Sequence, residues 1–411
     1  MEALIEEQTS QIIPFFDLTT NTPVNITDST TETLKTNVAE EHIATVIAKH
    51  LWTIVPPILL LLGTIGNVLT IVVFSRKAFR STISIYLTLL AVSDTVVLYS
   101  GILRQWLYYL TEYDIRSYHI VTCKLLTWLI YTSLDISAWT IVAVTIERLI
   151  SVYVPHKVKT FCTTKVCYFV LSFVIVACSL VNGHFLVGLE LLEVAVDSFN
   201  CATNNAGYLT FLEDIWPWMD LCVYSLIPTG LIIVGNALLI RKVFFSTLQT
   251  QQSMSDKRQQ LNRQKKMSSM TTMLISISIL FLICTTPVSI HIILSSYLPS
   301  PTPEQKAEQS LIWCVENLLM YSGNAINFIL YCFSGSRFRK EISAILKKSC
   351  CYVRGLRCRS NTSVRSKKTG SNHNTDVSGT ISKTTSTTSV ISSSDAVSVV
   401  GISFNTLPEQ S

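Results

Sequence analysis

The sequence predicts an all-α membrane protein, a seven-transmembrane helix bundle followed by a short amphipathic eighth helix. Three observations carry that prediction. Seven predominantly apolar runs recur along the chain, each long enough as a helix to cross about 30 Å of hydrocarbon. Only 14% of the residues are charged against 49% hydrophobic, with a mean hydropathy of +0.41, a balance foreign to soluble domains. If the N-terminus lies outside, 26 of the 32 Lys and Arg fall on cytoplasmic segments and 19 of the 27 acids lie outside. That asymmetry follows the excess of basic residues on the cytoplasmic side of membrane proteins.

Taken in order, residues 1–49 read as an extracellular N-terminal tail. MEALIEEQTS is acidic where a signal peptide needs a basic start, so the first span is expected to translocate the tail itself. Asn25-Ile26-Thr27 is a glycosylation sequon on that outer side. The spans are expected near 50–75, 83–109, 120–152, 166–188, 215–240, 269–298 and 311–333, within a membrane domain of 50–334. An odd number of spans places the C-terminus in the cytosol, and the chain is expected at the plasma membrane. Residues 335–348 carry amphipathic spacing and form the eighth helix. From 349 to 411 the chain becomes rich in Ser, Thr and Asn, too poor in apolar surface to order a core, and reads as a disordered cytoplasmic tail.

Most of the 12 cysteines fall within spans, where a thiol is usually a small apolar residue. Cys123 at the outer start of span three and Cys201 in the loop before span five face an oxidising compartment, and are expected to pair. Cys350, Cys351 and Cys358 follow the amphipathic helix in the cytosol; they suit palmitoylation, with plain free thiols as the alternative.

One stretch raises a sharper question. IVAVTIERLISVYVPHKV, residues 141–158, sets Glu147 and Arg148 at the cytoplasmic end of span three, where charges are costly and usually kept for a task. This pair stands 25 residues after Cys123 and is joined by other landmarks. They are Gly66-Asn67-Val68, Leu89-Leu90-Ala91-Val92-Ser93-Asp94, Tyr224-Ser225-Leu226-Ile227-Pro228, Phe281-Leu282-Ile283-Cys284-Thr285-Thr286-Pro287 and Asn327-Phe328-Ile329-Leu330-Tyr331. Together they identify a chain that resembles rhodopsin-like (class A) G-protein-coupled receptors from about 50 to 348. The phrase from Ala325 to Phe333 also resembles invertebrate neuropeptide receptors of the FMRFamide and myosuppressin kind.

That resemblance implies a cell-surface receptor, not an enzyme, that binds an extracellular ligand and activates heterotrimeric G proteins. By the same resemblance Glu147, Arg148 and Tyr331 serve G-protein coupling, with Glu147 holding Arg148 in the resting state. Lys265-Lys266-Met267 offers no acid for a second restraint, so ligand-free activity is expected. Asp94, Asn67, Ser137, Asn324 and Asn327 match the family's sodium pocket, with a water-filled polar cluster as the alternative. Sodium is the one cofactor in view. Asp135, a second intramembrane acid, is expected to be buried against polar neighbours rather than to touch ligand.

The sequence also departs from the family. Leu149 follows Arg148, Thr285 stands for the customary Trp of span six, and Phe328 for the Pro of span seven, which should straighten that helix. The position of the amine-binding Asp is Ile130, and span seven has no retinal-binding Lys. A short, basic, amidated neuropeptide therefore becomes the expected ligand, with a non-peptide small molecule or lipid as the alternative. Its expected contacts are Arg104, Gln105, Trp106, Tyr131, Trp216, Asp220, Tyr224, His291, Trp313, Asn317 and Tyr321. Hydroxyl clusters at 384–389 and 392–394 suit kinases and arrestin. A membrane enzyme lacks paired histidines or a nucleophile motif, and a transporter would favour inverted repeats or broken helices, which the chain does not display.

Overall fold

A computed structural model describes residues 42–76, 81–195, 198–252, 257–295, 302–334 and 336–353. The bundle begins with α1 (Ile43–Phe74), then α2 (Thr82–Thr111) and α3 (Ile120–Tyr153). It continues with α4 (Thr164–Gly188) and α5, which crosses as Ala206–Lys242 and whose last segment runs Ile227–Gln252. It closes with α6 (Lys257–Ser295), α7 (Pro303–Ser334) and α8 (Ser336–Val353). A two-stranded antiparallel hairpin, β1 (Glu190–Ala195) and β2 (Ser198–Ala202), joins α4 to α5. The first helix therefore starts seven residues before the expected span, and α8 runs five residues past its expected end. Asn25, Cys358 and the tail hydroxyl clusters lie outside the described residues, as do the side chains of Cys350 and Cys351.

Local chemistry starts the helices where they start. Ser81 accepts from the amide of Ser84 at the head of α2, and Thr163 does the same for Val166 at the head of α4. His119 and Thr122 cap α3 reciprocally. Glu112, at φ 56°, is the left-handed residue that ends α2 and turns the chain across the outer face.

Burial sorts the helices. In α3, 72% of the apolar window is buried, against 28% in α4. α3 is thus the central post, and α4 turns Phe169, Phe173, Leu180 and Val187 outward, where hydrocarbon can take them. Six helices are long and apolar enough to cross a membrane by composition. The seventh, α7, is as long as α1, but Glu316, Asn317, Asn324 and Asn327 lower its hydropathy. Its polar residues face the bundle instead of lipid: Asn317, Asn324 and Asn327 are all buried.

The Phe that stands for proline in α7 has a packing partner. A Cβ on Gly66 would lie 2.8 Å from Cβ of Phe328, so α1 and α7 meet at a distance that only glycine permits. Helix α7 is unbroken through this point, as the missing proline predicts.

Candidate functional site

The chemistry is arranged at three depths. Where α3 ends, Glu147 is buried, but its carboxylate accepts from the hydroxyl of Thr82 at the head of α2. Among the described residues no ion pair joins it to Arg148, whose Nε is buried without a hydrogen-bond partner. The expected hold of Glu147 on Arg148 therefore acts through charge attraction between chain neighbours and not through a direct ion pair. A helix places adjacent residues about 100° apart, and the Glu147 carboxylate turns to Thr82 at the head of α2. Tyr331 is enclosed as well. Its ring packs 5.5 Å from both Phe74 and Phe338, and its hydroxyl is buried and unpartnered. Outside this ring cluster, Arg76 pairs with Glu341 at 2.9 Å, and Arg339 caps the last carbonyls of α7 from Cys332 and Phe333.

At mid-depth, Asp94 receives the hydroxyl of Ser137 on one oxygen and the amide of Asn327, at 2.8 Å, on the other. Ser93 lies 3.1 Å from Ser137. The structure therefore brings α2, α3 and α7 together on one carboxylate, as three of the predicted residues require. Asn67 and Asn324 are adjacent but do not touch it. Asn67 donates to the carbonyl of Asn324 at 3.4 Å, and Asn324 donates to that of Met320 at 3.2 Å. A cavity with about 350 Å³ of empty space borders Asp94, Ser137, Asn324 and Asn327, and reaches Thr285 and Tyr224 above them.

The outer end opens into a second cavity, with about 520 Å³ of empty space. Tyr131 and Leu134 from α3, Asp220 and Tyr224 from α5, Ile292 from α6 and Trp313 from α7 line it. Four of the predicted contacts thus face it directly. Asp220, counted with the outer acids on sequence grounds, lies within α5, just before a π-helical segment at Leu221–Leu226. Such wide turns shift the register of side chains on a helix and often mark working sites. Trp216 stands behind the wall, edge-on to Tyr131 at 5.8 Å. His291 lies 3.0 Å from Glu316, joining α6 to α7 by charge attraction when protonated, although the approach misses a hydrogen-bond direction. Asn317 donates to the carbonyl of Trp313, and Tyr321 packs against Gly101 of α2.

Three predicted contacts are occupied by the protein itself. Arg104 donates to Asp114 at 2.7 Å and to Gln105 at 2.8 Å. Trp106 donates to the carbonyl of Thr53 at 3.1 Å and so faces α1. Asp114 also takes two hydrogen bonds from the Arg116 guanidinium and one from its backbone amide. Burial alone would raise the Asp114 pKa, but the two guanidinium charges override it and hold the carboxyl well below its usual range. A buried arginine requires such a partner, and the short turn after Glu112 supplies it. Sequence reasoning missed Asp114 because a loop residue carries no periodic signal.

A disulfide between Cys123 and Cys201 ties β2 to the head of α3, closing 78 residues of chain. The hairpin is thereby fixed across the outer end of the bundle, as the compartment argument predicted. Asp135, near the cavity floor, accepts from Asn182 of α4 at 2.7 Å through one oxygen, while the other is buried and unpartnered.

Residues 66–331 match the family model described as 7 transmembrane receptor (rhodopsin family). The thyrotropin-releasing hormone receptor of Gallus gallus is 28% identical over 320 residues, covering 71% of this chain and 77% of its own length. The receptor of the same name from Homo sapiens is 27% identical, covering 70% of this chain and 75% of its own. A probable G-protein coupled receptor of Caenorhabditis elegans is 22% identical, covering 77% and 73%. Seven helices around a buried Asp94, a cavity walled by four of them, a hairpin tethered to α3 and a family match over 66–331 lead to one conclusion: this chain belongs to the rhodopsin family of seven-transmembrane receptors.

Proposed function

We propose that this receptor binds a short extracellular peptide in its outer cavity and activates heterotrimeric G proteins from its cytoplasmic end. The observation that carries the reading is the outer cavity itself. It is walled by four helices with aromatic, acidic and apolar side chains. Peptides need such a mixture, since apolar side chains and backbone amides must be satisfied together. The naming of several relatives for a peptide hormone supports the same class of ligand.

The remaining parts fit this scheme. Arg148, half-buried at the cytoplasmic end with its Nε unpartnered, is positioned to donate to a carbonyl of a G protein when α6 moves. A sodium ion beside Asp94 would draw on the Asp94 carboxylate and the Ser137 and Ser93 hydroxyls, all hard oxygen donors around a cavity. Its role would be to weight the resting arrangement of α2, α3 and α7. The receptor is read as residing in the plasma membrane with its N-terminus outside. Asn25 carries glycan, Cys350, Cys351 and Cys358 carry palmitate, and receptor kinases and arrestin act on the Ser/Thr-rich tail.

The test is a calcium and cAMP readout in cells expressing the full chain, challenged with a panel of short amidated peptides. Activation at nanomolar concentration, abolished by Arg148→Ala at normal surface expression, is the expected result. Silence toward every peptide, with response to lipids or small amines, would overturn the peptide reading.

A further inference from the structure

The outer cavity is electrically lopsided. On the α3–α5 side stands Asp220, which lines the cavity and, among the described residues, has neither an ion pair nor a hydrogen-bond partner. Behind it Asp135 is 2% exposed, with one carboxylate oxygen held by Asn182 and the other unpartnered. The two carboxylates are close enough to repel, and Tyr224, which lines the same wall, feels both. On the α2 side, Arg104 and Arg116 share the carboxylate of Asp114. Tyr131 sits between the poles, under the influence of Asp220 from one side and Arg116 from the other.

Two adjoining acids in a low-dielectric wall are unfavourable unless a cation joins them or a proton neutralises one. No described basic side chain lines the cavity. Arg104 and Arg116 are held on Asp114, and His291 faces Glu316. When both acids are ionised, the counter-charge therefore has to arrive with the occupant. The rest of the wall specifies what should carry it: Leu134, Val288, Ile292 and Met320 present apolar surface along the approach. An aliphatic stem ending in a cation satisfies both demands, burying its methylenes while its head reaches the acids. A guanidinium matches two carboxylates better than an ammonium does, because its planar fork can donate to separate oxygens at once.

We propose that Asp220, supported by Asp135 behind it, forms a subsite for the guanidinium of an arginine side chain, with the cavity polarity orienting the ligand so that its cation points toward α3 and α5. This deepens the peptide-receptor reading and rests on the same cavity. Asp220 is the contact residue. Asp135 acts through the field it adds and through the free oxygen it keeps.

Purified full-length receptor would be titrated with N-acetyl-arginine methylamide and its neutral isostere N-acetyl-citrulline methylamide, with thermal stability as the readout. In parallel, cells would receive paired amidated peptides differing only in arginine or citrulline. The arginine probe is expected to raise the melting temperature where the citrulline probe does not, and Asp220→Asn to abolish the difference. Active peptides should lose at least tenfold in potency on citrulline replacement, and Asp220→Asn should remove that discrimination. Asp135→Asn should reduce the discrimination without removing it; where that variant fails to reach the surface, Asp220→Asn decides alone. Equal shifts from both probes, no shift from either, or discrimination that survives in Asp220→Asn would overturn the subsite. A stabilising arginine probe with no active peptide would keep the subsite and defeat the peptide reading. Active peptides indifferent to citrulline would do the reverse.

Discussion

The outer end of the bundle is fastened by a covalent bond, a hairpin and a cluster of two arginines on one aspartate. Its inner end is held by single hydrogen bonds, packed rings and one part-exposed ion pair, Arg76–Glu341. Both ends belong to the same helices, so the contrast is one of chemistry and not of fold. A disulfide and a buried charge cluster do not give way in small steps. A threonine hydroxyl on Glu147, or an aromatic face on Tyr331, can be exchanged at modest cost. A receptor needs that division, with a preformed site where ligand arrives and an adjustable one where the signal leaves.

The comparison can be broken most severely at the disulfide. Cys123→Ala or Cys201→Ala should cost about 2–5 kcal/mol, since 78 residues of chain lose their closure. Surface expression and the melting temperature with and without reductant would measure it, and a variant as stable as wild type would remove the outer fastening as an argument. Comparable in size is Asp114→Asn, which takes the shared counter-charge from two buried guanidinium groups. A loss of about 3–5 kcal/mol is expected, read as a fall in melting temperature. The pH dependence has a definite sign. The folded Asp114 carboxyl titrates below its unfolded value, so its contribution is complete above roughly pH 4 and is lost as pH falls through the lower folded value. The stability gap between wild type and Asp114→Asn should stay constant from pH 8 to 5 and narrow only in strong acid. A gap that closes between pH 7 and 5 would mean that another group is responsible.

Smaller effects sharpen the inner half. Gly66→Ala should cost about 1–3 kcal/mol by forcing α1 from Phe328, and Phe328→Ala should recover part of it in a double-mutant cycle. Strict additivity would show that the two residues do not meet. Smallest is Thr82→Ala, which frees the Glu147 carboxylate to approach Arg148. Unliganded reporter signal should change by about two- to fivefold, the effect of one hydrogen bond of about 0.5–1 kcal/mol. An unchanged signal would leave Thr82 as a helix-start residue only.

The sequence exposed the bundle well, because hydropathy, charge asymmetry and compartment are properties of whole segments. The Cys123–Cys201 bond and the meeting of Asp94, Ser137 and Asn327 were legible for the same reason: each has few alternative partners in its layer. What escaped was direction around a helix. Arg104 was expected to face ligand, yet ten residues later Asp114 returns beneath it, because a left-handed Glu112 ends α2 abruptly. Trp106, two positions on from Arg104, points to α1 instead of the cavity. Asp220 is the contrary case: named among the expected ligand contacts, it does line the cavity, although two π-helical segments, Phe211–Ile215 and Leu221–Leu226, break the regular period of α5.

One dimension of α6 bears on how far a signal can travel. The helix runs unbroken for 39 residues, about 58 Å, nearly twice the hydrocarbon thickness, with Pro287 near its outer end. From Pro287 to Lys257 is a rod of about 45 Å. If proline provides the pivot, as the lost hydrogen bond there favours, a swing of about 10° carries the inner tip by about 8 Å. The helix works as a lever with a short arm at the ligand and a long arm in the cytoplasm, so a displacement of about 1 Å near the pocket becomes motion on the scale of a whole protein contact.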